Sequence, residues 1–436
     1  MPLECKVRFL RTPEPGTPAQ GVIELCASLP NESTSPADAR AAFYDSDSRP
    51  TINLNVALDV SGSMIPFEKM LQVASKTLVE TVPTGSTCVR FITFGTDAVE
   101  FTKSTLLLNE AVQTQVASKF AHLRLTAAMT NIYEGLELLM DGVDSNLNFL
   151  VILSDGHANI GASCATRDLV DVVESNLSNK VVVLTSIGFN RPEYLQMDLL
   201  SSLAALTDGN VHTMTNPDTV QEAFGDVVGD LASILFANTR FEARGVSLNI
   251  PPAKCGIHIR MGTPRLIPFE FTDSSDKFVD IQSYNVLQKV MDEYRVGFIV
   301  PENQETDWEV DEALILDQAS RVIKNQANEN YEEDLEKLLA RIDLSPRKSL
   351  DTLASLSAQI HSILNAAISP EQVDQLAFDT MYQRSGIREG GGLSLHASES
   401  PQLGRQISRQ MSQNPQASVA DARRLFSQLT QDPMTD

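Results

Sequence analysis

No run of about 20 uninterrupted apolar residues occurs anywhere in the 436 residues, so the sequence predicts no membrane-spanning helix. Cysteine is sparse: Cys5, Cys26, Cys88, Cys164 and Cys255 are scattered, odd in number and without a CxxC pair. Disulfide frameworks and zinc sites show regular spacing, so neither is expected. The thiols read instead as reduced and buried, Cys88 in its apolar run above all. Basic residues are also short. With 34 Lys and Arg against 57 Asp and Glu, the net charge is −23, a surface that repels phosphate backbones and excludes nucleic acid as a partner. No Gly-x-x-x-x-Gly-Lys-Ser/Thr stretch is present, so any ATP hydrolysis would belong to another chain. The opening Met1-Pro2-Leu3-Glu4-Cys5-Lys6 carries an acid and a base where a secretory signal needs an apolar core, and a cytoplasmic location is the expectation.

What is present divides along the chain. Residues 1–45 hold two short strands, Lys6–Leu10 and Gly21–Leu25, then a Ser-, Asp- and Ala-rich linker from Asn31 to Asp47. Two strands make no stable unit, so they are expected to pair with strands found later. Residues 46–238 alternate continuous apolar runs with helical stripes. The runs are Asn55–Leu58, Cys88–Ile92, Phe149–Leu153 and Val181–Leu184; the stripes are Phe67, Met70, Leu71, Ala74 and Leu78, then Ile132, Leu136, Leu139 and Met140. That alternation predicts an α/β unit, a mainly parallel Rossmann-like sheet with helices on both faces, closed by a helix from about Asp218 to Phe236. Residues 239–308 turn to period-two segments (Val246–Ile250, Gly256–Arg260, Tyr294–Ile299), the signature of an antiparallel sheet. The α/β unit is thus expected to be inserted in a small antiparallel β-sandwich completed by residues 1–45. Residues 309–384 carry the stripes Leu335, Leu338, Leu339 and Leu353, Leu356, Ile360, Leu364 of a helical bundle, with starts marked at Ser345-Pro346 and Ser369-Pro370. Residues 385–436, rich in Ser, Gln and Gly, read as a disordered tail. Within it Val419, Ala422, Leu425, Phe426 and Leu429 form a short stripe: a helix for a partner or a nascent helix with none. Arg405-Gln406-Ile407-Ser408 and Arg409-Gln410-Met411-Ser412 resemble basic-directed phosphorylation sites, a short and common pattern.

The chemistry concentrates in three places. Asp59-Val60-Ser61-Gly62-Ser63 follows an apolar strand and precedes an amphipathic helix, at the carboxyl end of the sheet where open α/β folds bind ligands. Its spacing sets a carboxylate and two hydroxyls on one turn, with Gly62 expected to ease the bend. Thr130 opens the helix Met129–Leu136, and Asp155 ends the most apolar strand at Leu153-Ser154-Asp155-Gly156. All are hard oxygen donors, suited to Mg²⁺ foremost, with Mn²⁺ or Ca²⁺ as alternatives, and poorly suited to zinc or copper. The competing reading is that Ser-Gly turns merely cap helices. His157 reads as a loop residue, and Asp97 and Glu100 as the solvated face of a hairpin.

Over residues 51–236 these three pieces, in this order, resemble the metal-ion-dependent adhesion site of the von Willebrand factor A family. The resemblance implies that Asp59, Ser61, Ser63, Thr130 and Asp155 form the metal set. It also implies serines and threonine that contact the ion directly or through water, aspartates that often act through water, and a coordination position left open for a partner's Glu or Asp. The wider layout is similar to eukaryotic intracellular proteins of that family. Some of those carry a RING finger or a Hint-like domain, but no cysteine–histidine array and no convincing nucleophilic cysteine region stands here. The expectation is a metal-dependent protein-binding scaffold and not an enzyme. The alternatives are an adaptor in ubiquitin signalling without its own RING, and a subunit of a chelatase-type ATPase complex.

Overall fold

The computed structural model describes residues 3–13, 17–27, 51–125, 129–177, 180–189, 195–214, 227–228, 234–250, 253–260, 264–272, 277–302, 304–325, 328, 330–365 and 373. The expected linker at 31–47, the helix start at Ser369-Pro370 and the whole tail lie outside them.

Two strands open the chain, β1 (Leu3–Phe9) and β2 (Ala19–Ala27), paired antiparallel. Then come β3 (Ile52–Asp59), α1 (Glu68–Thr81), β4 (Thr87–Phe94), β5 (Ala98–Leu106), α2 (Glu110–Ser118), α3 (Ile132–Asp141), β6 (Leu147–Ser154), α4 (Thr166–Ser175), β7 (Val181–Phe189), α5 (Met197–Ala205) and β8 (Val211–Met214). The sheet order is β5-β4-β3-β6-β7-β8, parallel throughout except for β5, which turns back against β4 as an edge hairpin. All eight residues of β6 and all nine of β7 are buried, as central strands covered on both faces must be. One face packs Leu54, Val56 and Leu58 against Leu71, Ala74 and Leu78 of α1. The other packs Ala57, Leu150 and Ile152 against Leu136 and Leu139 of α3 and Leu169 and Val173 of α4. Alternate strand residues thus feed opposite layers, as a period of two requires.

The period-two segments form the rest of a sandwich: β9 (Ile234–Arg244), β10 (Ser247–Leu248), β11 (Ile257–Arg260), β12 (Arg265–Phe271), β13 (Phe278–Asn285) and β14 (Val290–Gly297). One sheet runs β1-β2-β12-β10 and the other β11-β9-β13-β14. The opening strands find their partner in β12, with Ile23 opposite Ile267. Between the sheets lie Leu25, Phe236, Ile257, Phe269, Val279 and Ile281. Three helices follow, α6 (Trp308–Lys324), α7 (Tyr331–Leu344) and α8 (Asp351–Leu364), around Leu335, Leu338, Leu353, Leu356 and Ile360. Val310 and Ala313 of α6 rest on Val22 and Leu266, so the helices dock on the outer face of the first sheet. Arg8 of β1 bonds Asp307 and Glu309 across the same contact and Glu24 of β2 within its own sheet.

Three expectations are corrected. Ile234–Phe236 does not end a helix but begins β9; only Val227 and Val228 of the expected closing helix are described as helical, and its remainder lies outside the described residues. Apolar residues in a row satisfy a helix stripe and a buried strand alike, and pairing with β11 and β13 decides for the strand. Ser345-Pro346 does not start a helix. Ser345 caps the end of α7, and α8 begins at Asp351 after a turn. The thiols are free but only Cys255 is buried; Cys5, Cys26 and Cys88 are half-buried and Cys164 is exposed. Cys88 sits where β4 meets the edge strand β5 and bonds Ser104.

The sandwich is fastened to the α/β unit by buried polar groups. Asp208, just beyond α5, takes a positive φ of 54° and accepts from the Arg265 guanidinium at 2.5 Å and from the His258 backbone N–H at 2.9 Å. The His258 ring meets the Thr207 carbonyl through Nε2 at 2.7 Å. Burial pushes this imidazole down to about 4; the Asp208 charge opposes that push, and Arg260 adds to it. Because the folded value lies below the unfolded one near 6.5, this group's stability is complete above about pH 6.5 and is lost as pH falls through about 4. The share of the melting temperature that depends on His258 is therefore expected to fall by several degrees between pH 7 and pH 4.5, read as the difference from a non-titrating variant. In His258→Gln, which keeps a donor and cannot titrate, the drop is smaller. Equal acid losses in both proteins would contradict this.

Candidate metal centre

Hydrogen-bonding demand shapes the first of the three segments. β3 delivers Asp59 to the carboxyl edge of the sheet, fully buried. Its Oδ1 accepts from the backbone N–H of Ser61 at 2.9 Å, and its Oδ2 from the hydroxyl of Ser154, the last residue of β6, at 2.6 Å. The chain then enters a 3-10 turn, Gly62–Phe67, that runs into α1. Gly62 is not among the positive-φ residues, so the bend expected of it is made with an ordinary backbone. The glycine with that freedom is Gly156, at φ 81°, where a Cβ would stand 3.1 Å from the Gln196 side chain.

Ser61 occupies the cap position of the 3-10 turn, yet its hydroxyl caps nothing. It lies 3.1 Å from the Ser63 hydroxyl instead. The capping reading of this Ser-Gly-Ser turn is therefore not what the geometry shows. Ser61 is buried and Ser63 exposed, so the pair leads from the sheet edge to solvent.

The second and third segments are tied to each other. Thr130 is buried; its N–H donates to Asn159 Oδ1 at 2.8 Å, and its carbonyl accepts from the Asn159 N–H at 3.1 Å. Asn159 stands in the loop that follows Asp155. Asn131 then caps α3, and its N–H donates to the carbonyl of Gly95 after β4. Asp155 is buried, with Oδ1 accepting from the His157 N–H at 3.0 Å. The structure thus brings Asp59, Ser61, Ser63 and Asp155 together at the ends of β3 and β6, and clamps the Thr130 segment to the Asp155 loop. His157 lies exposed on that loop, and Glu100 of the β4–β5 hairpin pairs with Arg90 at 2.9 Å. Two contributors escaped the sequence reading. Ser154 precedes Asp155 directly and was legible as a strand-end hydroxyl; Asn159 had no signal at all.

The electrostatics set this rim apart. Burial pushes the Asp59 carboxyl up to about 6; bonds from Ser154 and Ser61 hold it down, and the nearby Asp155 charge raises it further. Elsewhere buried acids meet arginines: Asp208 meets Arg265, Glu312 meets Arg347 at 2.7 Å and Asp317 meets Arg321 at 2.9 Å. Among the described residues neither Asp59 nor Asp155 has an ion pair with any Lys or Arg. The Thr130 hydroxyl and Asp155 Oδ2 likewise have no bonding partner there. No group of three or more His, Cys, Asp or Glu is placed to hold a metal among the described residues. The set at this rim is of another kind, two carboxylates and the hydroxyls of Ser61 and Ser63, with Thr130 on the segment clamped to the Asp155 loop, oxygen donors that a hard dication fits and a soft one does not.

Burying an uncompensated carboxylate carries a testable cost. The raised value means that ionised Asp59 destabilises the cation-free fold; that cost is absent below about pH 4 and fully present above about pH 6. In EDTA at pH 8, Asp59→Asn is expected to be more stable than the wild type by about 1–2 kcal/mol in chemical unfolding, and the gap closes towards pH 4. Millimolar Mg²⁺ should stabilise the wild type alone. A variant less stable than the wild type in EDTA at pH 8 would count against the uncompensated charge.

No family model matches the sequence, and no curated protein matches it. Solved structures share its fold. The ArnB paralog VWA2 from Sulfolobus acidocaldarius is 14% identical over 89% of this chain and 100% of that one, with a TM-score of 0.56. A von Willebrand factor type A protein from Catenulispora acidiphila is 13% identical over 81% and 88%, with a TM-score of 0.54. The human COPII-coat protein Sec24c is 11% identical over 89% of this chain and 61% of that one, with a TM-score of 0.51. At these identities the likeness is one of fold. The parallel sheet with its helices, the added antiparallel sheets and the helical C-terminal region form the α/β arrangement of von Willebrand factor A-type structures.

Proposed function

We propose that this chain is a scaffold protein whose von Willebrand factor A-type unit holds one divalent cation, Mg²⁺ foremost, and uses it to recognise an acidic side chain of a partner protein. The observation that carries the reading is the pair of buried carboxylates, Asp59 and Asp155, at a rim that offers serine hydroxyls and, among the described residues, no ion pair to any Lys or Arg. A dication supplies the missing positive charge, and two carboxylates that face it mostly through water leave it attractive to a third. Asp59 is already engaged through both oxygens by Ser61 and Ser154, which suits a role in orienting water more than a direct bond. Ser61, Ser63 and Thr130 have hydroxyls uncommitted to the backbone, and Ser63 faces solvent, where a partner arrives.

Binding, and not catalysis, is the proposed activity. The rim carboxylates serve the cation, and the acidic surface, at −23, keeps the protein soluble and selects against phosphate-rich partners. Five free cysteines suit a cytoplasmic location. Among the described residues no helix is long and apolar enough to cross a membrane.

The test is capture of proteins on the immobilised chain in Mg²⁺ and in EDTA, beside Ser63→Ala and Asp155→Asn. Partners are expected to elute with EDTA, to return with Mg²⁺, and to bind each variant at least about tenfold more weakly. A partner set indifferent to EDTA and to both substitutions would refute metal-mediated recognition.

A further inference from the structure

The sandwich ends in an edge that nothing described covers. β14 is the last strand of its sheet, with β13 on one side and no strand on the other. β1, the last strand of the facing sheet, stands across a groove of about 710 Å³ lined by Cys5, Val7, Tyr294, Val296 and Ile299. Val290 and Met291 of β14, with Ile299 and Val300 just beyond it, are apolar and exposed, Ile299 at 89%. Edge strands are ordinarily blunted by charged side chains, by proline or by a bulge. β14 pairs with β13 over eight consecutive residues without a register shift, contains no proline, and carries charges of both signs at Asp292, Glu293 and Arg295.

Those charges narrow what fits. An antiparallel pair built from two copies of one strand is related by a two-fold axis normal to the sheet, so it is centred on a residue that meets itself. Centred on Asp292, on Glu293 or on Arg295, the pair places like charges directly opposite. Centred on Tyr294, it places Glu293 opposite the partner's Arg295 and Arg295 opposite the partner's Glu293, on the exposed face of the sheet. Opposite charges across strands stabilise and like charges destabilise. Both groups keep capacity for this. Arg295 grips Asp280 through Nε at 2.6 Å and Nη2 at 2.8 Å, and Glu293 Oε1 accepts from Gln282 at 3.1 Å. Arg295 Nη1 and Glu293 Oε2 have no partner among the described residues. The Asp280 carboxylate also holds the Arg295 guanidinium in place, so less order is lost when a partner carboxylate binds.

We propose that β14 is a self-association edge, through which two copies of this chain join their sandwich sheets antiparallel about Tyr294 with reciprocal Glu293–Arg295 pairs. This surface belongs to the sandwich and acts independently of the metal-site reading, giving the scaffold two recognition rims per assembly.

Sedimentation velocity on the full chain tests it, at about 0.15 M salt, where exposed charges still act over contact distances. The wild type is expected to show a concentration-dependent dimer. Glu293→Arg and Arg295→Glu each set like charges opposite and should weaken self-association by roughly tenfold or more. Mixing the two variants restores complementarity at both positions, so the mixture is expected to form a heterodimer as strong as the wild-type dimer. Unchanged melting temperatures establish that each variant folds. A wild type that stays monomeric up to about 100 µM, variants that self-associate as well as the wild type, or a mixture that does not recover would each overturn the proposal.

Discussion

Two carboxylates withdrawn from water, with no ion-pair partner among the described residues, are the constraint around which this structure turns. Asp59 has no exposed surface and Asp155 almost none, and the charge of one raises the protonation range of the other. The buried acids elsewhere, Asp208, Glu312 and Asp317, each meet an arginine. Proteins do not leave ionised groups buried unpaired without a further partner, because the desolvation cost runs to several kcal/mol. At this rim the remaining donors are hydroxyls, which cannot neutralise charge but can complete the oxygen shell of a hard cation. The metal reading is thus the consequence of an electrostatic imbalance, and the hydroxyl geometry is its counterpart.

The rest of the α/β unit exists to hold that imbalance in place. Strands β3 and β6 lie side by side in register, Leu58 opposite Leu153, so Asp59 and Ser154 emerge at the same height. The Ser154 hydroxyl donates to Asp59 and accepts from the Gly156 N–H, bracing both turns at once. Asn159 reaches across to Thr130, fixing the third segment by two bonds to its backbone. Each element contributes one position, and the sheet supplies the common frame. The sandwich joins through the Asp208–Arg265 pair and the His258–Thr207 contact at the far side of α5, and the helices join through α6 on the outer face of β2 and β12.

Much of this fold is legible in the amino-acid sequence. Continuous apolar runs followed at once by Asp-x-Ser-x-Ser or Ser-Asp-Gly state both the strand and the point where it ends, because in a parallel sheet polarity can change only where the strand leaves the core. The pairing of residues 1–27 with a much later strand was also foreseeable, since two strands alone bury too little. Other features were not legible. Ile234-Leu235-Phe236 fits a helix stripe as well as a strand, and only pairing with β11 and β13 separates them. Cys88 reads as core by its neighbours, but its side chain faces the edge strand. Asn159 is an ordinary loop residue in sequence, and its importance appears only when the fold brings Thr130 to it.

The most direct test of the central claim is anomalous diffraction from crystals of the full chain grown in Mn²⁺, a hard dication that scatters strongly. One peak is expected on the rim, within bonding reach of the Ser61 and Ser63 hydroxyls, and it vanishes on chelation. An empty rim at saturating Mn²⁺ would contradict that claim, as would ions elsewhere with Asp59 and Asp155 still facing no cation.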